Sequence, residues 1–128
     1  MLVAYSVSIS DAEWHVMNVV WREQPVEAQP VVDELAAAHG WSVGTIKTMI
    51  YRLTQKGVLA FDVEGKRYRY RANVDRDTTV RQASRSFLDR VFGGAWAPAL
   101  LQLVEDSELS PSDVAELRRL LDDKDVKR

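Results

Sequence analysis

The 128-residue chain has a composition ordinary for a globular protein, with 46% hydrophobic and 28% charged residues, which excludes extended disorder. It contains no cysteine, which excludes disulfide bonds and thiolate metal sites. Its net charge of −2 is unevenly distributed: residues 1–40 sum to −5, whereas residues 41–73 carry seven basic and two acidic residues. A local basic surface is therefore expected on a chain that is acidic overall.

The sequence shows no signal for membrane insertion or export. No apolar run approaches the roughly 18–20 residues that a membrane-spanning helix requires. Residues 1–7 lack the basic region and the long apolar region of a signal peptide. These features predict a cytoplasmic protein that has no membrane partner.

Three helices are predicted in the first half of the chain. Ser10–Glu13 has the form of a capping box and begins a helix that runs to about Trp21. A second helix spans about Ala28–Ala38, and a third lies between the N-cap candidate Ser42 and Gly57. The third helix has an apolar face with i, i+3, i+4, i+7 spacing, which consists of Ile46, Met49, Ile50 and Leu53.

The opposite face of the third helix has no acidic residue between positions 44 and 55. Its candidate DNA-binding residues are Thr45, Lys47, Thr48 and Arg52. Threonine can contact base edges or the thymine methyl group in the major groove, and arginine can bind guanine or a phosphate. Two plainer interpretations stay open: the threonines could be ordinary exposed residues, and Arg52 could pair with a carboxylate. The role of Tyr51 on this face is also open.

A β-hairpin follows the third helix. Val58–Val63 is a β-rich segment, Glu64–Lys66 is a turn, and Arg67–Arg71 alternates strictly between arginine and tyrosine. The alternation places the tyrosines on one face and the arginines on the other, which predicts a basic hairpin. Lys66 and Arg67 would neutralise phosphates there without reading the base sequence.

Three helices followed by a hairpin is the order of a winged helix-turn-helix domain, in which the third helix enters the major groove. We therefore predict a mainly α fold with a small β-hairpin: a DNA-binding domain at residues 1–73 and a helical dimerisation segment at residues 74–128. Three helices are predicted in this segment, from Asp75 to about Gly93, over about Pro98–Glu105, and from Ser110 to Leu121. Their apolar faces are too small a core to be stable alone, which predicts a homodimer.

An enzyme is not expected. The two histidines, His15 and His39, are not at a metal-ligand spacing, and no glycine-rich phosphate loop or nucleophile elbow is present. No cofactor or metal site is predicted. The alternative function is a winged-helix protein-interaction module that does not bind DNA. The acid-free helix face combined with a basic wing favours DNA binding over this alternative.

Several segments resemble, in the same order, parts of the penicillinase-repressor (BlaI/MecI/CopY) family of winged helix-turn-helix regulators. Ile9–Trp21 is similar to its opening helix, and Thr45–Leu53 followed by Lys56-Gly57 is similar to its recognition helix. Phe87–Gly94 is similar to the segment that leads into its dimerisation helices, and Leu109–Leu121 to its last helix. The resemblance covers nearly the whole chain.

The resemblance implies a homodimeric repressor that binds a pseudo-palindromic operator in double-stranded DNA and is released by an inducing signal. It implies DNA contacts by Thr45, Thr48 and Arg52. Gly44 stands where the family often has a lysine, so one expected contact is lost.

The resemblance also bears on how the repressor is inactivated. In β-lactam-responsive members a protease cuts the middle C-terminal helix at a site resembling Asn-Phe. The matching pair here is Gln102-Leu103, a departure that leaves the cleavage route and the protease partner open. Copper-responsive members end in a cysteine-rich hook, which this chain lacks.

Overall fold

The computed structural model describes residues 8–126, so the expectation that residues 1–7 are not a signal peptide lies outside the described residues. This part of the chain forms six helices and one two-stranded antiparallel sheet. The elements in chain order are α1 (Asp11–Glu23), α2 (Ala28–His39), α3 (Val43–Gln55), β1 (Leu59–Glu64), β2 (Arg67–Ala72), α4 (Arg76–Phe92), α5 (Trp96–Asp106) and α6 (Pro111–Val126). The predicted mainly helical fold with a β-hairpin is confirmed. Between residues 8 and 126 no helix combines the length and the apolar character needed to cross a membrane.

Serine side chains cap the starts of α1 and α3, and a glycine follows the end of α2. At the start of α1, the Ser10 hydroxyl accepts from the Glu13 amide at 3.2 Å, and Glu13 Oε1 accepts from the Ser10 amide at 3.0 Å. The helix α2 ends at Gly40, whose φ of 71° is unfavourable for a residue with a side chain. The helix α3 begins at Ser42, whose hydroxyl accepts from the Thr45 amide at 3.1 Å. The tight link between α2 and α3 therefore follows directly from these caps.

The core of the first three helices and the hairpin is built from their apolar faces. The predicted stripe of α3 is wholly buried, and Ile46 and Leu53 have no exposed surface. The stripe packs against α1 and α2, while Val58 and Leu59 close the core at the base of the hairpin. The buried core residues are Val16, Met17, Val19, Val20, Val26, Val31, Val32, Leu35, Ile46, Met49, Ile50, Leu53, Val58 and Leu59. Burial of one face of α3 leaves its other face to solvent.

The hairpin pairs β1 with β2 in antiparallel register, with Phe61 opposite Tyr70 and Asp62 opposite Arg69. Gly65 occupies the turn at a φ of 64°. A contact that the sequence did not predict holds the base of the hairpin. Val26, in the link between α1 and α2, exchanges backbone hydrogen bonds with Tyr70 at 3.0 and 2.7 Å. This link therefore acts as a short third strand beside β2.

By its internal contacts the chain divides into two compact units between Ala83 and Ser84. The division falls within α4. Asp75 caps the start of this helix, since its Oδ2 accepts a hydrogen bond from the Thr78 amide at 3.0 Å. This hydrogen bond lowers the pKa of Asp75. The assignment of residues 1–73 to DNA binding and of 74–128 to dimerisation concerns function and stays a prediction. In the second unit, α6 continues to Val126, beyond the predicted end at Leu121.

Few apolar side chains of the second unit are buried within the chain. Among residues 84–126, which the structure describes, Ala99 is the one fully buried residue. Many large apolar side chains of this unit are exposed: Phe87, Val91, Trp96, Leu100, Leu101, Leu103, Val104, Leu120, Leu121 and Val126. The second unit thus presents apolar surface that this chain does not cover.

Candidate nucleic-acid interface

The outer face of α3 is exposed and carries every residue of this helix predicted to contact DNA. Thr45, Lys47, Thr48 and Arg52 all lie in solvent, opposite the buried stripe. The Ser42 hydroxyl donates to Thr45 Oγ1 at 2.9 Å, so the hydroxyl hydrogen of Thr45 is left to donate elsewhere. Tyr51 lies on the same face, and 63% of its surface is exposed. We call this surface the α3 face.

The basic residues of the α3 face are not neutralised by neighbouring carboxylates. Within residues 8–126, neither Lys47 nor Arg52 forms an ion pair. The alternative interpretation, in which Arg52 pairs with a nearby carboxylate, is therefore not what the structure shows. Because α3 itself contains no acidic residue, the positive potential of this face is uncompensated along the whole helix.

All three arginines of the hairpin have carboxylate partners, so it offers fewer unpaired positive charges than its sequence suggests. Arg69 Nη1 lies 3.4 Å from Glu64 Oε1, and Arg71 Nε lies 3.1 Å from Asp62 Oδ2. Both pairs join diagonal neighbours across the two strands. The sequence could have predicted these two pairs. Side chains two positions apart lie on the same face of a strand, which places Asp62 and Glu64 on the face that carries the arginines.

The two residues predicted to bind phosphate from the wing differ in their surroundings. Lys66 lies in the exposed turn and forms no ion pair with any residue between 8 and 126. Arg67 Nη1 lies 3.8 Å from Glu27 Oε2, and both side chains are well exposed. A pair of this length in solvent is weak, so Arg67 can exchange its partner for a phosphate at little cost.

Lys56 follows α3 in sequence but does not belong to the α3 face. Its ammonium group donates to Glu13 Oε1 at 2.6 Å and to the Ser8 carbonyl at 2.8 Å. Glu13 is almost fully buried. Burial raises the pKa of Glu13, but hydrogen bonds from Lys56 and from the Ser10 amide outweigh burial, and its pKa lies below the ordinary value. Lys56 therefore fastens the end of α3 to the start of α1.

The predicted cleavage pair, Gln102 and Leu103, lies in the middle of α5. Both side chains are exposed in this chain. The helix is continuous through the pair, so a protease would have to unwind it locally before cutting. The role of Gln102 and Leu103 as a cleavage site stays a prediction.

The two histidines, which are 24 residues apart in sequence, meet in the structure. Their ring centroids are 4.4 Å apart, and the His39 ring stacks on Trp41 at 4.2 Å. Within the described residues no group of three or more histidine, cysteine, aspartate or glutamate side chains could hold a metal ion. Spacing along the sequence gave no indication of this histidine pair, because it depends on how α1 packs against the turn after α2.

Residues 9–123 match the family model described as Penicillinase repressor. The chain belongs to the penicillinase repressor family. It is 36% identical over 115 residues to a penicillinase repressor of Bacillus licheniformis, an alignment that covers 90% of each protein. It is 33% identical over 116 residues to the methicillin resistance regulatory protein MecI of Staphylococcus aureus, which covers 91% of this chain and 94% of that protein. The resemblance inferred from the motifs is confirmed.

Solved structures of this family show the same fold. The solution structure of the DNA binding domain of the repressor BlaI aligns with a TM-score of 0.52 at 37% identity, covering 58% of this chain and 92% of that one. The Bacillus licheniformis BlaI monomeric form, in complex with the blaP half-operator, aligns with the same TM-score, identity and coverage. The penicillinase repressor family consists of regulators rather than enzymes, which confirms the prediction that the chain is not an enzyme.

Proposed function

We propose that the chain is a sequence-specific transcriptional repressor that binds a pseudo-palindromic operator as a homodimer and is released by an inducing signal. The observation that carries the proposal is the α3 face: exposed, free of acidic residues, and with Lys47 and Arg52 unpaired within residues 8–126. A protein-interaction module has no need of such a face. The relatives that are named repressors, and BlaI bound to a half-operator, support the same function.

The α3 face supplies groups suited to reading bases in the major groove. Thr48 lies near its centre, and Thr45 and Arg52 lie on its flanks. The methyl and hydroxyl of each threonine fit a thymine methyl or a base edge, and the guanidinium of Arg52 fits the two acceptors of guanine. Lys47, as a compact positive charge, suits a phosphate.

The wing is assigned a smaller role, through Lys66 and Arg67. These residues lie at and beside the turn, where the hairpin is most exposed. Each phosphate that they neutralise would add affinity for any DNA sequence and would be lost as salt increases. Arg69 and Arg71 are not assigned this role, because their carboxylate partners on β1 lie nearer than the partner of Arg67.

Dimerisation would occur through the second unit, whose exposed apolar side chains give a second copy a surface to cover. Two copies related by a two-fold axis would place two α3 helices on two half-sites, which accounts for a pseudo-palindromic operator. Release could follow cleavage between Gln102 and Leu103 by an inactivating protease. A cut there would divide α5 and remove the continuity of the surface that joins the two copies.

The experiment begins with selection of DNA fragments that the purified protein binds, followed by titration of the selected operator and of a scrambled duplex at one salt concentration. Thr48→Ala should reduce the ratio of the two affinities about tenfold, because a good base contact discriminates by about 1–3 kcal/mol. Thr54→Ala is the matched control on the same helix, since the Thr54 hydroxyl donates to the Ile50 carbonyl instead of facing outward. An unchanged ratio for Thr45, Thr48 and Arg52 variants alike would show that α3 does not read the sequence.

The same titrations at several salt concentrations test the wing. Lys66→Ala should weaken binding to both duplexes equally and reduce the slope of log affinity against log salt by about one. Arg71→Ala is the control, because the charge it removes is already paired with Asp62. A changed sequence preference with an unchanged slope for Lys66→Ala would mean that the wing reads bases.

A further inference from the structure

The histidine pair stands where α1 meets the turn that leads into α3. His15 comes from the middle of α1, and His39 is the last residue of α2. The two rings lie 4.4 Å apart between centroids at an interplanar angle of 60°. Both residues are exposed, so an ion in solution can reach them. These are the only two histidines in the sequence.

The positions of the two rings fit two ligands of one metal ion. Two imidazoles that bind one Zn²⁺ through nitrogens at about 2.0–2.1 Å have ring centroids roughly 5 Å apart. The observed separation of 4.4 Å is close to this, so the two rings are near enough to bind one ion. Because the elements that carry the rings share the core, the site requires no rearrangement of the backbone.

One of the two ligands is held in place. The His39 ring lies nearly parallel to the indole of Trp41, at 15° and 4.2 Å. Trp41 in turn packs against the buried core of the first unit. His39 is therefore supported from one side, which lowers the entropy that would be lost when it binds an ion.

We propose that His15 and His39 form a two-imidazole binding site for a borderline divalent transition cation, of which Zn²⁺ is the representative. Imidazole is a preferred ligand of such ions. Since no larger cluster of metal-binding side chains exists within residues 8–126, the other coordination positions belong to water or to an external ligand. A bound ion would join α1 to the turn before α3. The site is separate from the α3 face and does not depend on DNA binding.

The test is a calorimetric titration of the tag-free, full-length protein with Zn²⁺ at pH 7.5. One ion should bind per chain, and the melting temperature should rise because the ion binds the folded state. Chelation by two rings predicts that His15→Gln and His39→Gln each lower the affinity at least about tenfold, because each leaves a single ring as ligand, and that the double variant shows no measurable binding.

A control variant distinguishes this site from weak binding by surface carboxylates. Asp33 is exposed on α2, so Asp33→Asn should leave the Zn²⁺ affinity unchanged. The proposal is overturned if each single histidine variant keeps an affinity within about twofold of the unmodified chain, which would mean two independent rings. A stoichiometry of one ion per two chains would also overturn it, as would a melting temperature that Zn²⁺ does not raise. None of these outcomes affects the proposed repressor function, which is measured on DNA alone.

Discussion

The two units of the chain differ in where their apolar residues lie. The first unit buries a continuous core in which three helices and the base of the hairpin share fourteen residues. The second unit contains eight of the chain's twelve leucines, yet among its described residues Ala99 alone is fully buried. The first unit therefore completes its own core, whereas the second has apolar faces that require another surface. This difference predicts that substitutions in the two units alter different properties.

The largest effect is expected from a cavity in the core of the first unit. Leu53→Ala should lower the free energy of unfolding by about 2–5 kcal/mol, because Leu53 has no exposed surface and its neighbours cannot fill the space. Urea unfolding followed by circular dichroism measures this. Val63→Ala, at the exposed end of β1, is the matched control and should cost less than about 1 kcal/mol. Equal losses for the two variants would mean that the first unit is not closed as described.

A somewhat smaller effect, on assembly rather than folding, is expected in the second unit. Leu101 is 70% exposed in this chain, and Leu101→Asp should raise the dissociation constant of the proposed dimer about a hundredfold, because a carboxylate would be buried without a partner. Light scattering over a range of protein concentrations measures it. Ser86→Asp adds the same charge on the polar side of α4 and should leave the dimer intact. A full-length protein that is monomeric at micromolar concentration would contradict the dimer.

The local features of the first unit could be predicted from the sequence, because short-range chemistry determines them. The Ser10 capping box, the Ser42 cap and the glycine turn of the hairpin are all predicted by local sequence patterns and all observed. The 3.6-residue spacing of Ile46 and Leu53 also identifies which side of α3 is core. The position of the α3 face follows from that spacing, because the face lies opposite the apolar stripe.

The long-range contacts could not be predicted, because they depend on how separate elements pack. Lys56 donates to Glu13, which is 43 positions away in the sequence. The positive charge of Lys56 was counted as part of the basic region, but its contact joins α3 to α1. The contact of Val26 with Tyr70 and the meeting of the two histidines have the same origin. The ion pairs within the hairpin were missed for a different reason: the charges were summed over the region and were not paired across the strands.

The smallest effect on stability is expected from a change at Glu13, the buried carboxylate of the first unit. The described part of the second unit has no buried carboxylate. The pKa of Glu13 is lowered in the folded protein, so its contribution to stability is present above its unfolded value of 4.5 and is lost as pH falls through the folded value. Glu13→Gln should cost about 1 kcal/mol at neutral pH, because the charge-assisted bond from Lys56 becomes an ordinary one.

The difference in stability between Glu13→Gln and the unmodified chain should narrow as pH falls below 4.5. Unfolding curves at pH 7 and at several acidic values measure this. Glu64→Gln is the control, since the Glu64 side chain is exposed and its pair with Arg69 is long. A difference that stays constant with pH would show that Glu13 contributes through shape instead of charge.

The backbone contact between Val26 and Tyr70 has a consequence for how the hairpin can move. Tyr70 bonds to Val26 through both its amide and its carbonyl, and the Ala72 amide donates to the Gln24 side chain at 2.8 Å. The inner half of β2 is thus bound on both edges, while the half nearer Gly65 has β1 as its partner strand. We therefore expect the hairpin to bend beyond Tyr70, which would let the turn that carries Lys66 follow the surface it meets while α3 keeps its position over the core.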